Sequence, residues 1–224
     1  MRIRWISVLI SLLIMVSGLL GASTLTQVDQ DLRVIYAEYT LAATDLGHVN
    51  GELIRYRTSV IRAIEADTKE EFRRIADSLP QKRARIDQAI ARFVKASNNA
   101  PLGTSMDSRE LTELKAVQDK LEPYIASSQH TIQLMEERWQ TTSQIEARQL
   151  RAEAERTAAR DEGGKYISVT LELDRLVGVV AGIAGEVKKE ADSTLRVATI
   201  VLLGVSFALA ALVLAIPSRE RDSR

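Results

Sequence analysis

Residues 34–64 read VIYAEYTLAATDLGHVNGELIRYRTSVIRAI. Apolar or small residues recur within the stretch at Ile35, Tyr39, Ala42, Leu46, Val49, Leu53, Tyr56, Val60 and Ala63, in alternating steps of four and three. Such a rhythm puts them on one seam of a helix packed as in a coiled coil. The seam extends back through Leu25, Val28 and Leu32. A first long helix is therefore expected to end near Ala66, after roughly 60 Å at about 1.5 Å per residue.

Upstream, residues 6–25 read ISVLISLLIMVSGLLGASTL, twenty residues without a charge. At the far end, residues 197–216 read VATIVLLGVSFALAALVLAI, again twenty and uncharged. Each is long enough to cross a hydrocarbon core of roughly 30 Å. The first is read as an uncleaved anchor rather than a signal peptide, because no good small-x-small site closes it and the helical pattern runs on. Arg2 and Arg4 precede the first stretch, and Arg219, Arg221 and Arg224 follow the second. The positive-inside tendency then puts both termini in the cytoplasm. The expected organisation is a cytoplasmic N-terminus and first span over 1–25, an external domain over 26–196, a second span over 197–216 and a short tail over 217–224. Trp5 suits the membrane interface.

Three further amphipathic helices are expected in the external domain. Asp67 and Thr68, followed by Glu70 and Glu71, form a capping box that starts the second, over 69–97. Its apolar face carries Phe72, Ile75, Leu79, Ile86, Ile90, Phe93 and Val94, and Pro80 is expected to kink it. A polar break, SNNAPLGTSMDS, follows. Asp107 with Glu110 starts the third helix, with Leu111, Leu114, Val117, Leu121, Ile125, Ile132, Met135 and Trp139 facing inward and Pro123 as a second kink. The fourth carries Tyr166, Val169, Leu173, Leu176, Val180, Ile183 and Val187. Its beginning is open: Ser143 with Glu146 offers a cap, Gly163-Gly164 offers a turn or kink, and matching the first helix in length favours a turn between them. Four amphipathic helices with short connections, both ends at the membrane, predict an all-α antiparallel up-down four-helix bundle, flanked by transmembrane helices continuing the first and fourth. The polar break and the caps favour this over a two-stranded coiled coil between chains.

Composition excludes several classes of function. Thirty basic and thirty acidic residues balance, so no bulk charge draws the chain to nucleic acid. Cysteine is absent, removing disulfides and thiolate chemistry. Only His48 and His130 exist, with no Glu-x-x-His pair for a dinuclear metal bundle and no haem motif. Asp45-x-x-His48 is a lone pair at helical spacing and a weak metal signal. No Gly-rich loop follows a strand. No enzyme, cofactor or metal site is expected.

An anchor helix, the stretch 34–64 and a second span together resemble the periplasmic four-helix-bundle sensor domain of bacterial methyl-accepting chemotaxis receptors. The resemblance implies an inner-membrane, two-pass protein with its bundle in the periplasm and a homodimer packed through the first helix. It also implies arginines on that helix holding a small carboxylate between subunits, in a pattern like Arg-x4-Arg-Ala-x2-Arg. Arg57, Arg62 and Ala63 match its first three places, and Ala66 stands where the last arginine belongs. Receptors of the family continue into a HAMP linker and a signalling coiled coil, whereas this chain stops eight residues past Ile216.

Counting Leu53 and Val60 as position a puts His48, Arg55 and Arg62 at position c, one longitudinal stripe, with Arg57 nearer the seam at e. Guanidinium forks recognise carboxylates, so His48, Arg55, Arg57 and Arg62 are the candidate ligand-binding residues. They are equally what a solvated helix face would carry, paired with Glu52 or Glu65. Tyr36, Tyr56 and Trp139 read as core. The expectation is a membrane-anchored, chemoreceptor-like sensor of a small, anionic ligand or a partner, passing a helix displacement through lipid to a separate signalling protein. The alternative is a structural or regulatory membrane subunit that docks onto a receptor or kinase and has no small-molecule ligand.

Overall fold

A computed structural model of the chain describes residues 14–19, 21–26, 40–98 and 106–215. Every regular element among them is helical. The chain divides into two compact units, Tyr36–Ile183 and the pair of ends Met1–Ile35 with Ala184–Arg224. The first unit is a four-helix bundle. Its elements are α1 (Leu41–Glu65), α2 (Lys69–Ala76), α3 (Leu79–Asn98), α4 (Ser108–Gln140), α5 (Gln144–Arg156), a π-helical segment (Thr157–Glu162) and α6 (Gly163–Ala215). The bundle's four rods are α1, α2 with α3, α4, and α5 running through the π segment into α6.

Seam positions of α1 are buried as the rhythm requires: Ala42, Leu46, Val49, Leu53, Tyr56, Val60 and Ala63. Facing them, α3 buries Ile86, Ala89, Ile90 and Phe93, α4 buries Leu114, Val117, Leu121 and Tyr124, and α6 buries Val169, Leu173, Leu176 and Val180. Two cross-helix ion pairs hold α3 to its neighbours, Arg92 Nε to Asp45 Oδ1 at 3.1 Å and Arg83 Nη2 to Glu122 Oε1 at 2.6 Å. Asp45 is thereby committed to an arginine, and no group of metal-ligating residues exists among the described residues.

Local signals set the helix starts. Thr68 accepts a hydrogen bond from the Glu71 N–H at 3.2 Å, and the Asp67 N–H donates back to the Glu71 carboxylate at 3.4 Å. Asp107 accepts from the Arg109 N–H at 2.7 Å, and its own N–H bonds the buried Glu110 carboxylate. Ser143 caps α5 through the Glu146 N–H at 3.4 Å.

Three expectations require correction. The second helix is two helices rather than one kinked helix. Proline at position 80 has no N–H to continue the α2 ladder, so α2 closes at Asp77 and Ser78, and Pro80 falls in the first turn of α3 where no bond is lost. The turn between the third and fourth rods lies at residues 141–143, and Gly163-Gly164 is helical, because the fourth rod absorbs its extra length as a π turn instead of breaking. Leu111 is 60% exposed, since the α4 seam steps back from Leu114 by four to Glu110 and leaves Leu111 beside it. The helix α4 runs through Pro123 unbroken.

Among the described residues, no helix is long and apolar enough to cross a membrane. Residues 6–13, 20 and 216 of the two uncharged stretches lie outside the described residues, as do Trp5, Tyr36 and the 27–39 part of the first-helix seam. In the second unit, many of the described apolar side chains are exposed, including Ile14, Met15, Leu19, Leu25, Ile200, Leu203 and Phe207, whereas Val187, Leu202 and Val205 are half-buried.

Candidate functional site

Structure separates the four candidate residues of α1 into two groups. His48, Arg55 and Arg62 are exposed, as heptad spacing along one face dictates. Arg55 pairs with Glu52 one turn earlier. His48 and Arg62 make no hydrogen bond or ion pair among the described residues. Arg57 is different: it is half-buried, with its guanidinium stacked 4.2 Å from the centroid of the Tyr166 ring. The exposed stripe is open to solution, whereas Arg57 belongs to the interior.

That interior holds a polar layer. The bundle core splits into a large apolar cluster, which reaches Val60 on α1 and Ile125 on α4, and a smaller one that begins at Ala63 and Leu134. Between them on α4 lie Ser127, Ser128 and Thr131, and opposite, at the end of the π segment, lies Glu162, 2% exposed. Thr131 Oγ1 is 3.3 Å from Glu162 Oε2. Tyr56, Tyr124 and Tyr166 form an aromatic wall on the side of the larger cluster, with ring centroids 6.1 and 5.7 Å apart. The Tyr124 hydroxyl is buried without a hydrogen-bond partner among the described residues.

The electrostatics of the layer follow from its dryness. Burial pushes the Glu162 carboxyl above the usual carboxylate range; Ser128, Thr131 and the Arg57 charge pull the other way, and Asp161 adds repulsion. Burial, with help from Glu162, pushes the Tyr56 phenol up to about 12, and Tyr124 rises for the same reasons. Asp161, next in sequence but exposed, is held below its ordinary range by hydrogen bonds from Lys165 Nζ and Ser127 Oγ, both 2.6 Å long. Neighbouring carboxyls are thus driven in opposite directions by opposite environments.

Neither Glu162 nor its hydroxyl partners stood out in the sequence, yet a signal was present. Stepping back four from Tyr166 along its own seam reaches Glu162. On α4 the three-four rhythm runs 114, 117, 121, 124, 128, 131, 135, through Tyr124, Ser128 and Thr131. Following apolar residues alone passes over the polar members of a seam.

A second feature is a groove of about 400 Å³ between α3 and α4, floored by Ile90, Val94 and Leu121. Arg83 crosses it, already bound to Asp87 and Glu122.

The described residues form an all-helical bundle whose fourth rod ends in one helix of 53 residues, Gly163–Ala215. The chain belongs to the family of four-helix-bundle sensory modules for signal transduction found in chemotaxis receptors, whose model matches residues 1–195. No curated protein and no solved structure matches the chain.

Proposed function

We propose that the protein is a membrane-anchored sensor whose bundle lies in the periplasm of a bacterium. It binds a small anion at the α1 stripe of a homodimer and passes a displacement of the fourth rod to a separate output protein. The observation that carries this reading is the continuity of α6, one helix of 53 residues that begins in the bundle core and runs into the uncharged stretch 197–216. A helix without a joint transmits a shift or rotation along its length. Exposed apolar side chains in both uncharged stretches support their burial in lipid.

Dimerisation through α1 is supported by its outer face. Gly47, Gly51, Ile54, Thr58 and Ile61 follow a second three-four rhythm beside the main seam. Ile54 and Ile61 are exposed, and a Cβ at Gly47 or Gly51 would meet no atom within 4 Å. Nothing inside the bundle requires glycine there, whereas close approach of a partner helix does. His48, Arg55 and Arg62 flank that face and would gather positive charge at the seam, where a desolvated guanidinium binds carboxylate most strongly.

Thermal unfolding of the full chain in mild detergent, against a panel of small carboxylates, tests the reading. The expected result is a rise in Tm with one of them, lost in Arg62→Ala. Absence of stabilisation by any anion, together with co-purification of a membrane protein, supports instead a regulatory subunit that docks onto a receptor or kinase.

A further inference from the structure

The hydroxyl hydrogens of Ser128 and Thr131 that reach Glu162 are shared with backbone carbonyls, which leaves an ionised carboxylate poorly served. Ser and Thr hydroxyls carry one hydrogen each. Ser128 Oγ donates its hydrogen to the Tyr124 carbonyl at 3.1 Å, and Thr131 Oγ1 lies 3.2 Å from the Ser127 carbonyl. Ser127 Oγ is spent on Asp161. An ionised Glu162 must therefore compete with two backbone carbonyls for hydrogens. A protonated Glu162 supplies its own, donating to a hydroxyl whose lone pairs are free. No ion pair to Glu162 exists among the described residues, and Arg57 is turned onto the Tyr166 ring.

The backbone beneath this carboxyl is the least regular part of the fourth rod. Thr157–Glu162 holds a π turn, which carries one residue more than an α turn needs. Converting it to an ordinary α turn rotates what lies on one side by roughly 100° relative to the other, the angle per residue of an α-helix. Glu162 is the last residue of the segment, so its side chain is the first that such a rotation moves.

We propose that the proton is itself a ligand of this sensor: protonated Glu162 holds the π turn and the buried layer together, and its ionisation expels the carboxylate and turns α6. This inference deepens the sensory reading by naming a stimulus, and rests on it for any consequence beyond the bundle. The groups facing Glu162 do not substitute for it. From α1 come Arg57 and Tyr56, from α4 Tyr124, Ser127, Ser128 and Thr131, and from its own rod Asp161, Lys165 and Tyr166; Arg83 of α3, paired with Asp87 and Glu122, reaches the layer only through Tyr56. Burial holds the protons on Tyr56 and Tyr124. His130, exposed and within electrostatic reach of Asp161, is the one other group beside the layer of a type that changes charge between about pH 5 and 8.

The absence of cysteine makes the test direct. Nitroxide labels on cysteines introduced at the exposed positions Lys120 and Asp174, both in the bundle, report the turn of α6 against α4. Distances are measured on the full chain in detergent from about pH 4 to about pH 9, which spans ordinary and buried glutamates. Two distance populations are expected, their ratio inverting across one transition. Glu162→Gln should pin the acid population, and His130→Gln should leave the transition in place. Infrared difference spectra of the wild type should lose a protonated-carboxyl band over the same range, which needs no variant to fold. A single population at every pH, a transition that survives in Glu162→Gln or vanishes in His130→Gln, or no such band would overturn the proposal. Distances are read without any output, so a pH-driven turn with no anion effect supports this site while sinking the anion reading. Anion-driven stabilisation without the turn does the reverse.

Discussion

Two charged side chains on bundle helices meet opposite fates. Arg62 stands in solvent on the outer face of α1, and Glu162 is enclosed at a seam position with hydroxyls as its partners. Arg57 lies between them, its stem along the bundle and its head on Tyr166, the arrangement that lets arginine be half-buried without an ion pair. The raised Glu162 carboxyl has a consequence for stability. The folded chain binds that proton more tightly than the unfolded chain, so its contribution is complete below the ordinary carboxylate range and is lost as pH rises through the raised value. Replacing Glu162 by Gln removes the loss. Melting curves across pH should nearly coincide in acid and diverge above it, with the variant more stable by about 1 kcal/mol or more at neutral pH. Parallel curves would mean that the carboxyl is not titrating in the core.

At the scale of elements, capping contacts are short-range and correspondingly legible. Thr68 with Glu71, Asp107 with Glu110 and Ser143 with Glu146 each sit three residues apart, and each opens a helix in the structure. Thr68→Ala should cost about 1 kcal/mol in chemical denaturation, and Thr68→Ser should restore most of it, because only the hydroxyl acceptor matters. A result in which Ala and Ser cost the same would assign the role to packing of the methyl group instead. Legibility fails where an element answers to its neighbours. Whether the second helix kinks or divides at Pro80 depends on what Leu79 and Phe72 must bury, each in a different apolar cluster. The π turn likewise reflects register: α5 and α6 must both present a face to α4, and one surplus residue between them has to be accommodated somewhere.

The whole bundle is held by a core that spans all four rods. Phe93 is fully buried among residues of α1, α4 and α6, so Phe93→Ala should destabilise the chain by about 3–5 kcal/mol in urea titration. A loss well under 1 kcal/mol would show that the core collapses onto the vacancy. Sequence by itself determined the fold class, the seam of α1 and the helix caps, because each is written in spacing along one chain and survives without knowing any neighbour; it also carried the resemblance to the family. Tertiary structure alone decided that Arg57 turns inward while His48, Arg55 and Arg62 stay outside, that Leu111 is exposed, and that a polar layer at Glu162 interrupts the core. Those outcomes depend on which face of each helix meets another helix, and at what height. A side chain's charge state, partners and access to water are properties of that meeting.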